Sequence, residues 1–185
     1  VEQTWRQFLQ KRLNIAWLPA EHVFLRIVHL PKGEDADETR QMLEFQLEKL
    51  SPVPVNQIVW SFQTLPCPDP TQQTVLLVLA ERSSIETLLS DLDEAGYQAD
   101  RIESPLLHAL STVDLDQDCV RIHVQEHDEK SFDCLISWHM SGWVQQVGIS
   151  NLPKTDQGAK LLIDSLNNTA SSGELEGCLT VVPEV

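Results

Sequence analysis

Three histidines and one aspartate in the second half of the chain carry side chains that could bind a metal ion. His123 and His127 lie an even number of residues apart, so a strand would place both on one face, and His139 falls on the next predicted strand. Asp128 falls at the turn between the strands. A metal site needs three or four converging ligands, however, and Gln125 on the same face is polar as well. The simpler interpretation is a polar sheet face turned to solvent, and we predict no metal ion.

The residue patterns of other common catalytic sites are missing. The sequence has no G-x-S-x-G turn for a serine nucleophile, and its seven glycines are scattered singly, without a phosphate-binding loop. The carboxylates of Asp91, Asp93 and Glu94 lie on the polar face of a predicted helix, where solvated charges are the rule. The four cysteines share apolar or proline-rich surroundings that favour a neutral thiol: Cys67, Cys119, Cys134 and Cys178. We therefore expect no catalytic residue, no cofactor and no enzymatic activity.

The chain is strongly acidic. Among 185 residues, 13 are basic and 28 acidic, which gives a formal net charge of −15. This charge opposes binding to nucleic acid and to anionic lipid, but it would attract a basic protein partner. Scattered cysteines without a C-x-x-C pair fit a reducing compartment. Without a signal peptide or a sufficiently long apolar run the chain is expected to be soluble, and its abrupt ends suggest a piece of a longer protein.

The hydrophobic periodicity predicts alternating helices and strands up to residue 112. Asp35 and Glu38 form a capping-box start for one helix, Ser104 followed by Pro105 starts another, and Gly96 occupies the position that closes a helix. The predicted helices are 2–13, 36–50, from Ser83 to Gly96, and 105–112. The predicted strands are 14–18, 22–30, 58–64, 75–80 and 97–102. The continuous apolar run at 75–80 is typical of a strand covered on both faces.

Three consecutive strands are predicted in the second half, at 119–127, 132–140 and 143–149. Asp128–Lys130 and Ser141–Gly142 are natural hairpin turns between them. A helix at about 156–168 and a final strand at 178–182 follow.

Together these elements predict an α+β, or α/β-like, fold. The first unit, residues 1–82, is a small β-α-β-β subdomain with an N-terminal helix. The second unit, residues 83–185, is a helix-strand-helix segment followed by a mixed sheet with an antiparallel meander, a helix and a final strand. The order β-α-β-β-α-β up to residue 102 matches a split βαβ layout, although its last helix and strand could instead belong to a neighbouring sheet.

Three stretches of the first half follow one another in a fixed order: LRIVHLPKG, LEFQLEKLSPVPVNQIVWSFQ and VLLVLAERSSIETLLSDLDEAGYQADRIESPLLHAL. They give a strand ending in Leu-Pro, a helix leading through Pro-x-Pro into an aromatic strand, an apolar strand, and a helix closing on Ala-Gly. In this order and spacing, over roughly residues 14–112, the chain resembles the PilM/GspL group. These are the actin-like assembly proteins of type IV pili and type II secretion. The resemblance implies a fragment of the actin-like ATPase superfamily, with an SHS2-like subdomain and an actin-like lobe.

The nucleotide contacts of that group are degenerate in this sequence. ATP-binding members carry a D-x-G-x-x-[ST] hairpin in the meander, whereas His123–His127 here reads H-V-Q-E-H and lacks both the aspartate and the glycine. The segment CLTVVPEV also lacks the Gly-Gly turn that such members place against adenosine. The sequence is therefore closer to the GspL side of the group, which keeps the fold without using nucleotide.

What the resemblance implies is a non-catalytic scaffold on the cytoplasmic side of the inner membrane. Its partners would be the ATPase of the secretion or pilus machine and membrane-anchored assembly proteins. The membrane would be reached only through partners or through segments outside this chain, and homodimerisation is left open. In this group the helix–Pro-x-Pro–strand unit belongs to a small subdomain that meets partners.

Two prolines give that unit a fixed angle, because each holds φ near about −65°. Leu43, Leu47 and Leu50 make one apolar stripe of the helix, and Phe45 lies off it. Core packing remains the simpler interpretation of the strand aromatics. The partner-binding residues that we predict are Phe45, Pro52, Pro54, Trp60 and Phe62.

Two alternatives stay open at this point. The chain could be a nucleotide-binding PilM-like protein whose pocket is completed by residues outside it. It could also be an unrelated, standalone α+β domain that binds a small ligand, in which case residues 119–185 would form a separate core.

Overall fold

The structure is a computed structural model that describes residues 13–104, 107, 110 and 118–170. The predicted helices at 2–13 and 105–112 and the predicted strand at 178–182 lie outside these residues, apart from Leu13, Leu107 and Leu110. The strands are β1 (Ile15–Trp17), β2 (Val23–Pro31), β3 (Ile58–Leu65), β4 (Gln72–Glu81), β5 (Arg101–Glu103), β6 (Cys119–Glu126), β7 (Ser131–Met140) and β8 (Trp143–Pro153). The helices are α1 (Ala36–Glu44), α2 (Leu47–Leu50), α3 (Arg82–Glu94) and α4 (Asp156–Ala170), and 3-10 turns span Ala20–His22 and Val55–Gln57.

The first sheet is antiparallel, with the strand order β2-β4-β3. Strand β4 is central, and Val78 lies opposite Leu25 on one side and Ser61 on the other. Successive residues of β4 point to opposite faces of the sheet, and both faces are covered, since Leu76 and Leu77 are each 0% exposed. The prediction of a strand buried on both faces is confirmed.

Helices α1 and α2 cover one face of this sheet. The Asp35 carboxylate accepts the Glu38 N–H at 2.9 Å, which confirms the predicted helix start. Leu43 and Leu47 pack against the odd-numbered β4 residues, and both are buried. The prediction of a single helix over 36–50 is wrong, because the helix is interrupted at Phe45 and Gln46 and a second helix begins at Leu47.

Helix α3 ends as predicted. Gly96 has a φ of +79°, and the N–H of Tyr97 donates to the carbonyl of Leu92 at 2.8 Å, so the glycine closes the helix in a left-handed turn. The strand that follows, β5, pairs in parallel with β1 and places Ile15 opposite Arg101. The last strand of the predicted β-α-β-β-α-β series therefore belongs to a neighbouring two-stranded sheet.

The third sheet is the predicted antiparallel meander, β6-β7-β8. Ser141 and Gly142 connect β7 to β8 and have φ angles of 53° and 79°, the left-handed pair that suits a two-residue hairpin turn. On one face of the meander, Ile136 and Trp138 pack against Leu166 of α4.

The opposite face of the meander packs into the core of the first half. Leu135 and Val144 share one buried cluster with Val23 and Leu25 of β2. On this face His139 is 1% exposed, so the expectation of a solvent-facing polar side is wrong at the centre of the sheet. The shared core also counts against a standalone domain over residues 119–185. Among the described residues, no helix combines the length and the apolar character that spanning a bilayer requires.

Candidate functional site

A groove of about 610 Å³ runs between strand β3 and the segment that contains β5. Its apolar lining comes from six different parts of the chain: Leu18, Val23, Val78, Ala80, Ile85, Ile102 and Leu107. One wall is the backbone and side chains of β3, and the other is the stretch Arg101–Ser104. An apolar concavity with a few polar groups on its walls is the usual form of a binding site.

Strand β3 lies at the edge of its sheet. Among the described residues its one partner strand is β4, so an extended chain could add to the other edge of β3, where the Arg82 guanidinium already donates to the carbonyl of Ile58 at 3.1 Å. Val59 and Ser61 line the groove and lie opposite Ala80 and Val78, which also line it. Val59 is 37% exposed, an accessible apolar side chain at the rim of the groove.

The wall opposite β3 carries the polar groups of the groove. Arg101 and Glu103 form an ion pair at 2.5 Å, and the Glu103 side chain is 10% exposed. Ser104 is 5% exposed, and its hydroxyl has no hydrogen-bond partner among the described residues. A buried hydroxyl that lacks a partner is costly, so a ligand that supplies one would recover that cost.

Two of the predicted partner-binding residues lie on the other face of β3. Trp60 and Phe62 stack with ring centroids 6.5 Å apart, and they pack against the buried cluster beneath α1 and α2. The guanidinium of Arg40 lies 5.0 Å from the Trp60 ring and 5.6 Å from the Phe62 ring. Their partly buried side chains therefore belong to the edge of the helical layer, although both residues also border the groove.

The remaining three predicted partner-binding residues are exposed. Phe45 is 91% exposed on the outer side of the break between α1 and α2, and Pro52 and Pro54 are exposed in the link from α2 to β3. The Ser51 hydroxyl donates to the carbonyl of Val53 at 2.5 Å, a local hydrogen bond within the segment that connects α2 to β3. Only Trp60 and Phe62 touch the groove, and whether any of the five binds a partner stays a prediction.

The histidines of the meander do not converge. His127 contacts the Asp133 carboxylate at 3.0 Å, which raises the pKa of the histidine, and Asp128 accepts N–H groups within its own turn. His139 lies within 2.8 Å of the Ser137 hydroxyl, and burial above all lowers its pKa to about 4. Within the described part of the chain, no group of three histidine, cysteine or acidic side chains is placed to hold a metal ion.

A second cavity, of about 390 Å³, lies between the outer face of the meander and the start of α4. Val124, Phe132 and Leu162 make its lining largely apolar. Lys154 at its rim is paired with Glu126 and lies 4.7 Å from the Phe132 ring. The lysine of this cavity is thus already paired, and we take the β3 groove as the better candidate site.

Part of the groove could be predicted from the sequence. The alternation in IVWSFQT separates Val59 and Ser61 from the aromatics, and the polar serine indicates an accessible face. Ser104, by contrast, was predicted to cap a helix, and no sequence pattern indicates that its hydroxyl lies buried beside the groove. Ile102 and Val59 are brought together only by the tertiary fold.

The comparisons with known proteins bear on the fold. No family model matches the sequence, and no curated protein does either. A chain of a solved structure described as a PilM-PilN type IV pilus biogenesis complex superposes with a TM-score of 0.56 at 18% identity. The match covers 94% of the present chain and 52% of that chain, so the present chain spans about half of its length. The fold is therefore α+β and similar to the actin-like fold of PilM, as the sequence predicts.

Proposed function

We propose that this chain is a non-catalytic assembly protein of a type IV pilus or type II secretion platform, and that its β3 groove holds an extended segment of a partner. The observation that carries the proposal is the position of β3 at the edge of its sheet, among the described residues, beside an apolar floor. Peptides commonly add a strand to such an edge, with main-chain hydrogen bonds for affinity and side-chain pockets for specificity.

The chemistry of the groove fits a largely apolar segment. Val78, Ile85 and Ile102 offer apolar surface, and the Ser104 hydroxyl offers a hydrogen bond. The neighbouring structure is described as a complex of two pilus proteins, which supports a protein rather than a small molecule as the ligand. The partners that we propose are membrane-anchored assembly proteins and the ATPase of the machine. These partners would hold the chain at the inner face of the inner membrane.

The GspL-like, nucleotide-independent version of this function is supported by the groups present on β6. The carboxylate of this strand, Glu126, is paired with Lys154, and the neighbouring face carries Arg121 and His123 instead of an acid. A magnesium–nucleotide complex is usually held through carboxylates, and this strand offers none on that face.

The groove is tested by filling it. Synthetic peptides that tile the cytoplasmic segments of the anchored assembly proteins are titrated by fluorescence anisotropy against the wild type and two variants. Ser61→Trp places a large ring in the groove, and we expect it to weaken peptide binding at least tenfold. Thr64→Trp adds the same ring at an exposed position on the other face of β3, and we expect unchanged affinity. Equal binding by both variants would contradict the proposed site.

Nucleotide independence is tested by thermal unfolding with Mg-ATP. A ligand present at about 100 times its Kd stabilises a protein by about 2.7 kcal/mol, so millimolar Mg-ATP would reveal binding in the micromolar range. We expect no shift. A stabilised protein would favour the nucleotide-binding PilM-like alternative.

A further inference from the structure

A second surface, which the groove does not use, lies on the outer side of the break between α1 and α2. We call it the Phe45 elbow and define it by its exposed residues: Gln41, Glu44, Phe45, Glu48 and Lys49. At 91% exposed, Phe45 is the most exposed large apolar side chain among the described residues. The other phenylalanines that the structure describes, at positions 24, 62 and 132, are partly buried.

The backbone holds Phe45 in a fixed position. Its N–H donates to the carbonyl of Gln41 at 3.3 Å, and the N–H of Gln46 donates to the carbonyl of Leu43 at 2.9 Å. On the inner side of the elbow, Leu43 is 0% exposed and Leu47 is 3% exposed, so the elbow is anchored to the sheet. Because the backbone that carries the ring is already ordered, binding costs little further backbone entropy, and aromatic side chains dominate the affinity of many interfaces.

The charge around Phe45 indicates the chemistry of the partner. Glu44 and Glu48 flank Phe45 in sequence, and Glu38, about two helical turns before it, is exposed as well. Lys49 is the exposed cation of the elbow, whereas Arg40 lies over the aromatic rings of β3. The elbow therefore presents an apolar ring within a net acidic surface.

The acidic charge of the chain disfavours two other binding partners for this surface, a second copy of the chain and an anionic membrane. A second copy of the chain would bring together two molecules of formal charge −15, and an anionic bilayer would repel the same acidic surface. We propose that the Phe45 elbow docks into an apolar pocket, rimmed by lysine or arginine, on a basic protein partner. The elbow lies on the helical face of the sheet and the groove on the opposite face, so the two contacts can form at the same time.

The test uses the full-length protein in the cells that produce it. The photoreactive amino acid p-benzoylphenylalanine replaces Phe45 in one variant and Tyr97, an aromatic residue that is 67% exposed, in a matched control. We expect position 45 to yield an adduct with one protein, at least tenfold more abundant than any adduct at position 97. Mass spectrometry of the adduct should identify a peptide rich in lysine and arginine.

Two further variants test whether the acidic residues of the Phe45 elbow hold the partner and whether the groove is involved. Combining Glu44→Lys with Glu48→Lys should reduce the position 45 adduct at least tenfold, while Ser61→Trp in the groove should leave it unchanged. Both variants alter exposed positions, and their melting temperatures establish that the fold is intact. The proposal is overturned by an adduct with a second copy or with lipid, by yields equal to those at position 97, or by insensitivity to the charge reversal.

Discussion

The rings of His29 and Trp143 meet edge to face, with centroids 5.0 Å apart and planes at 81°. His29 belongs to β2 and Trp143 to β8, so this contact joins the first sheet to the meander. Thr74 Oγ1 lies 3.3 Å from Nδ1 of His29, and a Cβ added to Gly142 would meet the ring of Pro68 at 3.4 Å. Strands, a loop and a hairpin therefore converge on one small joint between the two halves of the fold.

We predict that the His29–Trp143 contact stabilises this joint. Trp143→Ala should lower the free energy of unfolding by about 2 kcal/mol, because it removes a partly buried aromatic side chain from the contact with β2. In a double-mutant cycle with His29→Ala, the coupling energy should be about 1 kcal/mol. Urea unfolding at pH 7.5 measures both quantities. Additive effects of the two substitutions would mean that the rings do not interact.

The pH dependence of stability should reflect His139. Burial, with smaller contributions from Arg121 and His123, lowers the pKa of His139 to about 4, against about 6.5 in the unfolded chain. Between these values the unfolded state binds more protons. The contribution of His139 is therefore fully present above about pH 6.5 and is lost as the pH falls towards about 4.

The expected loss from this group is about 2 kcal/mol between pH 7.5 and pH 5. Urea unfolding of the wild type and of His139→Gln at both pH values measures it, and the variant should lose less stability on acidification. His127 has a raised pKa and contributes with the opposite sign, but it is present in both proteins and cancels in the difference. Parallel losses in the two proteins would contradict a depressed pKa of His139.

Local chemistry made several elements predictable from the sequence. The Asp35 cap, the Gly96 helix end and the Ser141–Gly142 hairpin each depend on residues within a few positions of one another. The alternation of β3 also indicated two faces correctly. In these places the side chains needed for the structure are adjacent in the sequence, so propensity and pattern suffice.

The features that could not be predicted from the sequence depend on tertiary contacts. The position of Phe45 off the stripe of Leu43, Leu47 and Leu50 predicts its exposure, but the stripe fits one continuous helix and nothing local indicates the break at Phe45. A polar alternation cannot say which face is buried, so the burial of His139 depends on β2 packing against the meander. The groove escaped prediction because Val59 and Ile102, far apart in sequence, meet only in the folded chain.

We predict that Trp60 stabilises the unbound protein whether or not it also meets a partner. Trp60→Ala should lower the free energy of unfolding by about 2 kcal/mol, because the ring packs on the cluster beneath α1 and stacks with Phe62. Arg40→Gln should cost about 0.5–1 kcal/mol through the lost cation–π contact. Phe45→Ala is the matched control, since the exposed ring should cost less than about 0.5 kcal/mol. Chemical denaturation of the isolated chain measures the free energy of unfolding of the three variants. If Trp60→Ala proved as stable as Phe45→Ala, the Trp60 ring would not contribute to the stability of the unbound protein.

Gly158 lies in the first turn of α4, close to the end of β8. A Cβ at this position would lie 2.0 Å from the carbonyl oxygen of Pro153, which is backbone and cannot rotate away. Gly158→Ala should therefore push the start of α4 off the meander and cost about 2 kcal/mol or more. Gly148 is the matched control, because a Cβ there meets nothing within 4 Å, and Gly148→Ala should change stability by no more than about 0.5 kcal/mol. Urea unfolding of the two alanine variants provides the comparison. If Gly158→Ala proved as stable as Gly148→Ala, the close approach of α4 to Pro153 would not exist in solution.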